Sequence, residues 1–129
     1  MKSRLACQKK KFLLLKNKRN KWDFPKGKVD NNESILKAGL RELSEETGVN
    51  KITIVDGFFE RVNYREKKKN GKVLHKTAYF YLAHTRKEKI FISDEHRDYK
   101  WLDFNKALEL LSYAGSRELL QMANIYLKK

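Results

Sequence analysis

The chain has one cysteine, Cys7, so an intramolecular disulfide is excluded, and no Cys/His cluster offers a structural zinc site. An intracellular, reduced, cytoplasmic protein is expected. Only one proline and six glycines interrupt 129 residues, which argues against a long disordered or low-complexity tract. No apolar run approaches the ~20 residues that span a bilayer. Near the N-terminus, Phe12 to Leu15 is too short for a secretory core, so no membrane partner is expected. Acidic residues are also scarce: 16 Asp and Glu against 30 Lys and Arg leave a net charge of +14. Such a surface attracts nucleotides, RNA or acidic membranes, though a merely solvated lysine surface has the same composition. Charge alone does not separate a nucleotide from a nucleic acid.

What is present suits a single globular domain over residues 1–129, with 40% hydrophobic residues available for a core. Lys11 to Lys16 reads as a buried strand preceded by Arg4 to Cys7, and Asn17 to Lys21 as a polar turn before an extended Trp22–Phe24. From about Glu33 to Thr47, Ile35, Leu36, Leu40 and Leu43 recur at helical spacing, and Gly48 supplies a left-handed stop. Strands are expected at Ile52 to Glu60, Lys76 to His84, Lys89 to Ile92 and Tyr99 to Leu102. Asn70–Gly71 gives a hairpin signal between the first two. The C-terminal part reads as a helix from Asn105 to Ser112, a break at Ala114–Gly115, and a helix capped by Ser116 that runs to about Leu127. Strands and helices mix without regular alternation. The expected class is therefore α+β, a mixed sheet between helices rather than a doubly wound parallel one.

The scarce acids are concentrated. Five fall within Gly27 to Val49, and Glu42, Glu45 and Glu46 stand three and four apart, on one side of a helix. Like charges so placed repel, and Arg41 alone cannot neutralise three of them. Hard oxygen donors in this number suit magnesium or manganese better than zinc. A solvated acidic helix face is the competing reading.

The flanking residues decide between the two. Gly27, Glu33, Arg41, Glu42, Leu43, Glu45, Glu46, Gly48 and Val49 fall at the constrained positions of the Nudix box without a departure. The chain thus resembles the Nudix hydrolases. That resemblance implies a mixed sheet between helices, a box folded as loop–helix–loop, and hydrolysis of a nucleoside diphosphate linked to a further group with Mg2+ or Mn2+. It also implies that Glu42, Glu45 and Glu46 hold metal with the main-chain oxygen of Lys26. Arg41 would orient a box carboxylate, Gly27 would allow a tight loop, and Glu33 would brace it.

Outside the box, Trp22-Asp23-Phe24-Pro25-Lys26-Gly27, then GFFERVNY (57–64), KTAYFYLA (76–83) and DEHRDYKWLDFNKALELL (94–111), resemble the asymmetric diadenosine tetraphosphate hydrolases over nearly the whole chain. By that resemblance Tyr64 and Tyr113 would stack on adenine, Lys26 and Lys76 would grip polyphosphate, and Glu95 would join the metal site. The implied partner is a dinucleoside polyphosphate cleaved to ATP and AMP by a monomer. Lys21 stands where a histidine is usual in that subfamily, and Asn31–Asn32 where many have proline and glycine. Lys67 to Lys72 also lengthens the connection between Tyr64 and Lys76. Because Trp22 to Lys28 also resembles the entry of messenger RNA decapping Nudix domains, an enzyme on RNA 5′ ends is the alternative. A non-catalytic nucleotide or RNA binder on the same scaffold is the third reading.

Overall fold

The computed structural model describes residues 10–25 and 34–128. The Arg4 to Cys7 strand, the Gly27 to Asn32 loop, Lys26, Gly27 and Glu33 lie outside the described residues. In chain order the elements are β1 (Phe12–Asn17), β2 (Trp22–Asp23), α1 (Ile35–Thr47), β3 (Thr53–Lys67), β4 (Val73–His84), β5 (His96–Leu102), α2 (Phe104–Leu110) and α3 (Ala114–Leu127). The architecture is mixed α/β, as the unpatterned alternation predicts. Among the described residues the strands form two antiparallel sheets, one ordered β2-β1-β5 and the other the β3–β4 hairpin.

β1 forms where KFLLLK predicts it. Leu14 and Leu15 are buried, and Leu14 and Leu15 pair with Lys100 and Tyr99 of β5. The turn into β2 closes on Asn17, whose side-chain oxygen accepts from the Arg19 and Lys21 amides, an Asx-type arrangement. One core gathers Leu14, Trp22, Ala107, Leu111 and Leu120. A second joins the hairpin to α3 through Phe58, Leu119 and Ala123, with Phe80, Leu82 and Tyr126 against them. Burying each such side chain is worth about 1.5–3 kcal/mol, so these contacts fix α3 on the hairpin.

β3 and β4 are longer than expected, reaching Lys67 and Val73 instead of stopping at Glu60 and starting at Lys76. The ladder supplies the reason: pairing runs unbroken from Phe59↔Tyr81 to Lys67↔Val73, which satisfies backbone groups with no need of a buried face. Asn70–Gly71 makes the turn as read. The Lys68 amide donates to the Lys72 carbonyl at 2.8 Å, and Gly71 takes φ +87°.

Two expectations fail. Lys89 to Ile92 joins no ladder; its Ile90 is buried and its backbone serves α1 instead, as described below. Ser116 is not the cap of α3, which starts at Ala114 with Tyr113 as N-cap. The chain break falls at Leu111 to Tyr113 instead. Ser116 turns inward, and its hydroxyl donates to the Asp23 carboxylate at 2.6 Å.

Candidate active site

α1 carries the acidic cluster. Ser34 opens it, its hydroxyl accepting from the Lys37 amide at 3.1 Å, a cap worth about 1 kcal/mol. Gly48 closes it in the left-handed region, φ +73°, with its amide on the Ser44 carbonyl. Thr47 is fully buried yet satisfied: its hydroxyl donates to the Leu43 carbonyl and accepts from the Val49 amide.

The three glutamates share this helix but not one environment. Glu46 is 6% exposed. The side chains of Glu42 and Glu45 are 19% and 56% exposed. Arg41 Nη1 donates to Glu42 Oε1 at 2.9 Å and to both Glu45 oxygens at 3.2 Å. These charge-assisted bonds join two carboxylates to one guanidinium.

The donor chemistry suits a hard divalent cation. Three carboxylates crowd the C-terminal half of a helix whose last turn carries no basic side chain, where the macrodipole is negative and favours positive charge. Among the described residues, no three acidic, histidine or cysteine side chains are close enough together to enclose an ion. Lys26, expected to contribute its carbonyl, lies outside the described residues.

The C-terminal end of α1 receives the segment that bears Glu95. The Phe91 amide donates to the Thr47 carbonyl at 3.0 Å and the Ser93 amide to the Glu46 carbonyl at 3.2 Å. The turn that follows is held by the His96 amide on the Ser93 carbonyl and by a 3.3 Å contact between Ser93 Oγ and His96 Nδ1. Glu95, exposed on that turn, is thereby tethered to the acidic helix. Burial lowers the pKa of His96 below its ordinary value, and the Glu95 charge partly opposes this. Sequence reading identified Glu95 but missed its tether. The signal was there in the apolar Ile90–Phe91 pair, read as a strand.

Tyr64 and Lys76 are cross-strand partners on β3 and β4, on one face of the hairpin. Lys76 Nζ donates to Glu66 Oε2 at 2.8 Å, and that hydrogen bond raises its pKa above the ordinary lysine value. Glu66 is a site neighbour that sequence reading did not find. The ladder is centred on Asn70, so Tyr64, six residues before it, stands opposite Lys76, six after, with Glu66 one diagonal away. Tyr64 and Tyr113 are 38% and 41% exposed.

Tyr113 is placed by a knot of side-chain bonds around the start of α3. The Trp22 amide donates to Ser112 Oγ at 2.9 Å and the Ser112 amide to the Trp22 carbonyl, while Ser116 holds Asp23. Arg117 donates to the Leu111 carbonyl at 2.7 Å. The Gly115 Cα faces Val62, which shares its strand face with Tyr64. These bonds fix the start of α3, where Tyr113 is the N-cap residue; Tyr113 is not among the residues that line the cleft with Tyr64.

A cleft of about 720 Å³ runs beside α1 and the hairpin, and Glu42, Tyr64 and Lys76 all line it with Phe24 and Pro25. Leu36, Leu40 and Leu43, the apolar residues that recur along α1, line this cleft as well, and Leu40 is exposed. Of the expected site residues, then, Arg41, Glu42 and Glu45 are joined by hydrogen bonds and Glu46 follows on the same helix. Glu95 is tethered to its end, Tyr64 and Lys76 share the cleft with Glu42, and Tyr113 sits at the head of α3.

Residues 5–123 match the family model described as the NUDIX domain. The pig bis(5′-nucleosyl)-tetraphosphatase [asymmetrical] is 34% identical over 122 residues, covering 90% of this chain and 80% of that protein. An RNA pyrophosphohydrolase of Nitratiruptor sp. is 33% identical over 100 residues, covering 71% of this chain and 64% of that protein. The crystal structure of a C. elegans Ap4A hydrolase binary complex superimposes with a TM-score of 0.80 at 30% identity, covering 92% of this chain and 86% of that one.

Proposed function

As the chain belongs to the NUDIX family, we propose that it is a metal-dependent hydrolase of nucleoside polyphosphates whose preferred substrate is diadenosine tetraphosphate, cleaved to ATP and AMP. One observation carries the substrate assignment: Tyr64 and Lys76 are cross-strand neighbours that line the same cleft as Glu42. An aromatic ring and an ammonium side by side suit a nucleoside with its phosphates, the ring by base stacking and the lysine as a mobile point charge. The 34% identity to a bis(5′-nucleosyl)-tetraphosphatase points the same way.

In this reading Glu42, Glu45 and Glu46 hold the divalent cation, Mg2+ or Mn2+, with the Lys26 carbonyl and Glu95. When bound, that cation neutralises phosphate oxygens and lowers the pKa of a water. The protein's own groups do the rest. Arg41 keeps Glu42 and Glu45 from swinging apart, so the carboxylates are already ordered when substrate arrives. Lys76 and Lys26 bind the phosphate chain as cations, and Glu66 holds the Lys76 ammonium by a 2.8 Å hydrogen bond. Tyr64 and Tyr113 orient the adenosine end, which selects the phosphate presented to the water. A box carboxylate accepts the water's proton.

The test is product analysis by chromatography after incubation with Mg2+ and diadenosine tetraphosphate or a 5′-triphosphorylated or capped RNA. ATP plus AMP from the dinucleotide is expected. Release of pyrophosphate or cap from RNA, with the dinucleotide left intact, would establish the second reading, an RNA 5′-end hydrolase. That reading is favoured by the 33% identity to an RNA pyrophosphohydrolase and the net charge of +14. Tight nucleotide binding without turnover would indicate a binding module. A cytoplasmic monomer remains the setting we propose; none of its described helices is long and apolar enough to cross a membrane.

A further inference from the structure

Beyond the Tyr64–Lys76 pair, the outer part of the β3–β4 hairpin concentrates charge. Every residue from Asn63 to Val73 is exposed. Within residues 65–72, five basic side chains, Arg65, Lys67, Lys68, Lys69 and Lys72, face a single acid, Glu66, which is occupied by Lys76. We propose that this outer ribbon is a binding arm for single-stranded RNA, separate from the hydrolytic site.

Three features carry the assignment. First, the charge is held in place. The ladder continues to Lys67↔Val73, and the turn is closed by the Lys68–Lys72 and Gly71–Lys68 backbone bonds and by the Lys72 amide on Asn70 Oδ1. A flexible tail would let the lysines spread apart; a closed turn keeps like charges together, at a cost that a polyanion relieves.

Second, the spacing and shape suit an extended phosphate backbone. Arg61, Asn63, Arg65 and Lys67 alternate onto one face, about 6.8 Å between successive members at the ordinary strand rise. That is comparable to the separation of phosphates along an extended strand. Asn63 Oδ1 accepts from Thr77 Oγ1 at 2.8 Å, which turns the amide so that its NH2 can donate to a 2′-hydroxyl oxygen.

Third, the composition opposes the other polyanion surfaces. From residue 65 to residue 72 there is no apolar side chain to enter a bilayer, as a membrane-binding element needs. The ribbon is narrow and exposed on both faces, so it offers no broad, fitted patch for a folded acidic protein.

The test measures binding of a fluorescent, 5′-hydroxyl oligouridylate by anisotropy across a salt series; lacking a 5′ phosphate chain, this probe reports the arm and not turnover. Wild type should bind with a steep salt dependence. A combined Lys67→Gln, Lys68→Gln, Lys69→Gln, Lys72→Gln variant should bind at least tenfold more weakly. Its log–log salt slope should be shallower by up to ~2.8, at about 0.7 per phosphate contact on a single strand. Its hydrolysis of diadenosine tetraphosphate should keep the wild-type kcat and KM, which also shows that it folds. An unchanged affinity and slope in the variant would overturn the proposal. So would equal affinity of wild type for the matching DNA oligomer, or preferential capture by anionic phosphatidylserine vesicles. Because the probe is no substrate, failure here leaves the hydrolytic reading untouched, and the reverse also holds.

Discussion

Replacing Gly48 with alanine removes no contact, yet it should destabilise the protein measurably, and the size follows from the backbone. Gly48 sits at φ +73°, where a side chain pushes Cβ against the following carbonyl at about 1–2 kcal/mol. Space is not the obstacle: a Cβ there would meet Phe91 Cβ and Cδ2 at 3.4 Å, an ordinary contact. The strain is therefore the whole effect. Unfolding entropy near 60 °C is about 2.1 cal/mol/K per residue, so 129 residues give roughly 0.27 kcal/mol/K. The expected fall in Tm is about 4–7 °C. Gly48→Asn should lose less, because asparagine tolerates the left-handed region. Gly39→Ala is the counter-case. Gly39 lies inside α1 with nothing within 4 Å of an added Cβ, so alanine should gain about 0.5–1 kcal/mol, or about 2–4 °C. Thermal melts by circular dichroism, all three variants in one buffer, measure the order. A Gly48→Ala melting point at or above wild type would refute the capping argument. Equal losses at both glycines would refute it too, since only one of them needs a positive φ.

Glu46→Gln should abolish turnover, by ~100-fold or more, while circular dichroism stays native; removing divalent cation with EDTA should do the same, reversed by Mg2+ or Mn2+. Retained activity in either experiment would remove the metal assignment. Glu66→Gln should release Lys76: its pKa, followed by NMR of the ammonium, should drop back toward 10.5, and KM for the dinucleotide should fall. An unchanged Lys76 titration would show that the Glu66 bond does not persist in solution. Tyr64→Ala should raise KM more than it lowers kcat, read from initial rates; an unchanged KM would take Tyr64 out of the site.

The parts of this fold that were legible in the sequence are those set by short-range spacing. α1 and its Gly48 stop follow from apolar recurrence at three and four and from one residue type at one position. Arg41 beside Glu42 and four before Glu45 is likewise a helical neighbour relation. Illegible were the features made by partners distant in sequence. The outer halves of β3 and β4 lack alternation because neither face is buried, and only the cross-strand ladder shows them to be strands. Lys89 to Ile92 has strand composition, but the Phe91 amide is taken by the Thr47 carbonyl, as is the Ser93 amide just beyond it by the Glu46 carbonyl. Ser116 has the chemistry of a cap; Asp23, 93 residues away, takes its hydroxyl instead. Lys76 reads as a phosphate ligand, and its bond to Glu66 emerges only once the register is known.

The antiparallel register of the hairpin also determines how this protein can vary. Tyr64 and Lys76 stay opposite each other for any tip that adds equal numbers of residues to both strands, since every pair between them and the turn is counted from the same centre. Lengthening or shortening the ribbon in that way changes the outer surface and leaves the root as it was. A single residue inserted in one strand below the turn is different: without a compensating bulge it sends Lys76 to the opposite face and ends its pairing with Glu66. The hairpin thus behaves as two separately adjustable parts, a tip free to change length in matched steps and a root that tolerates none.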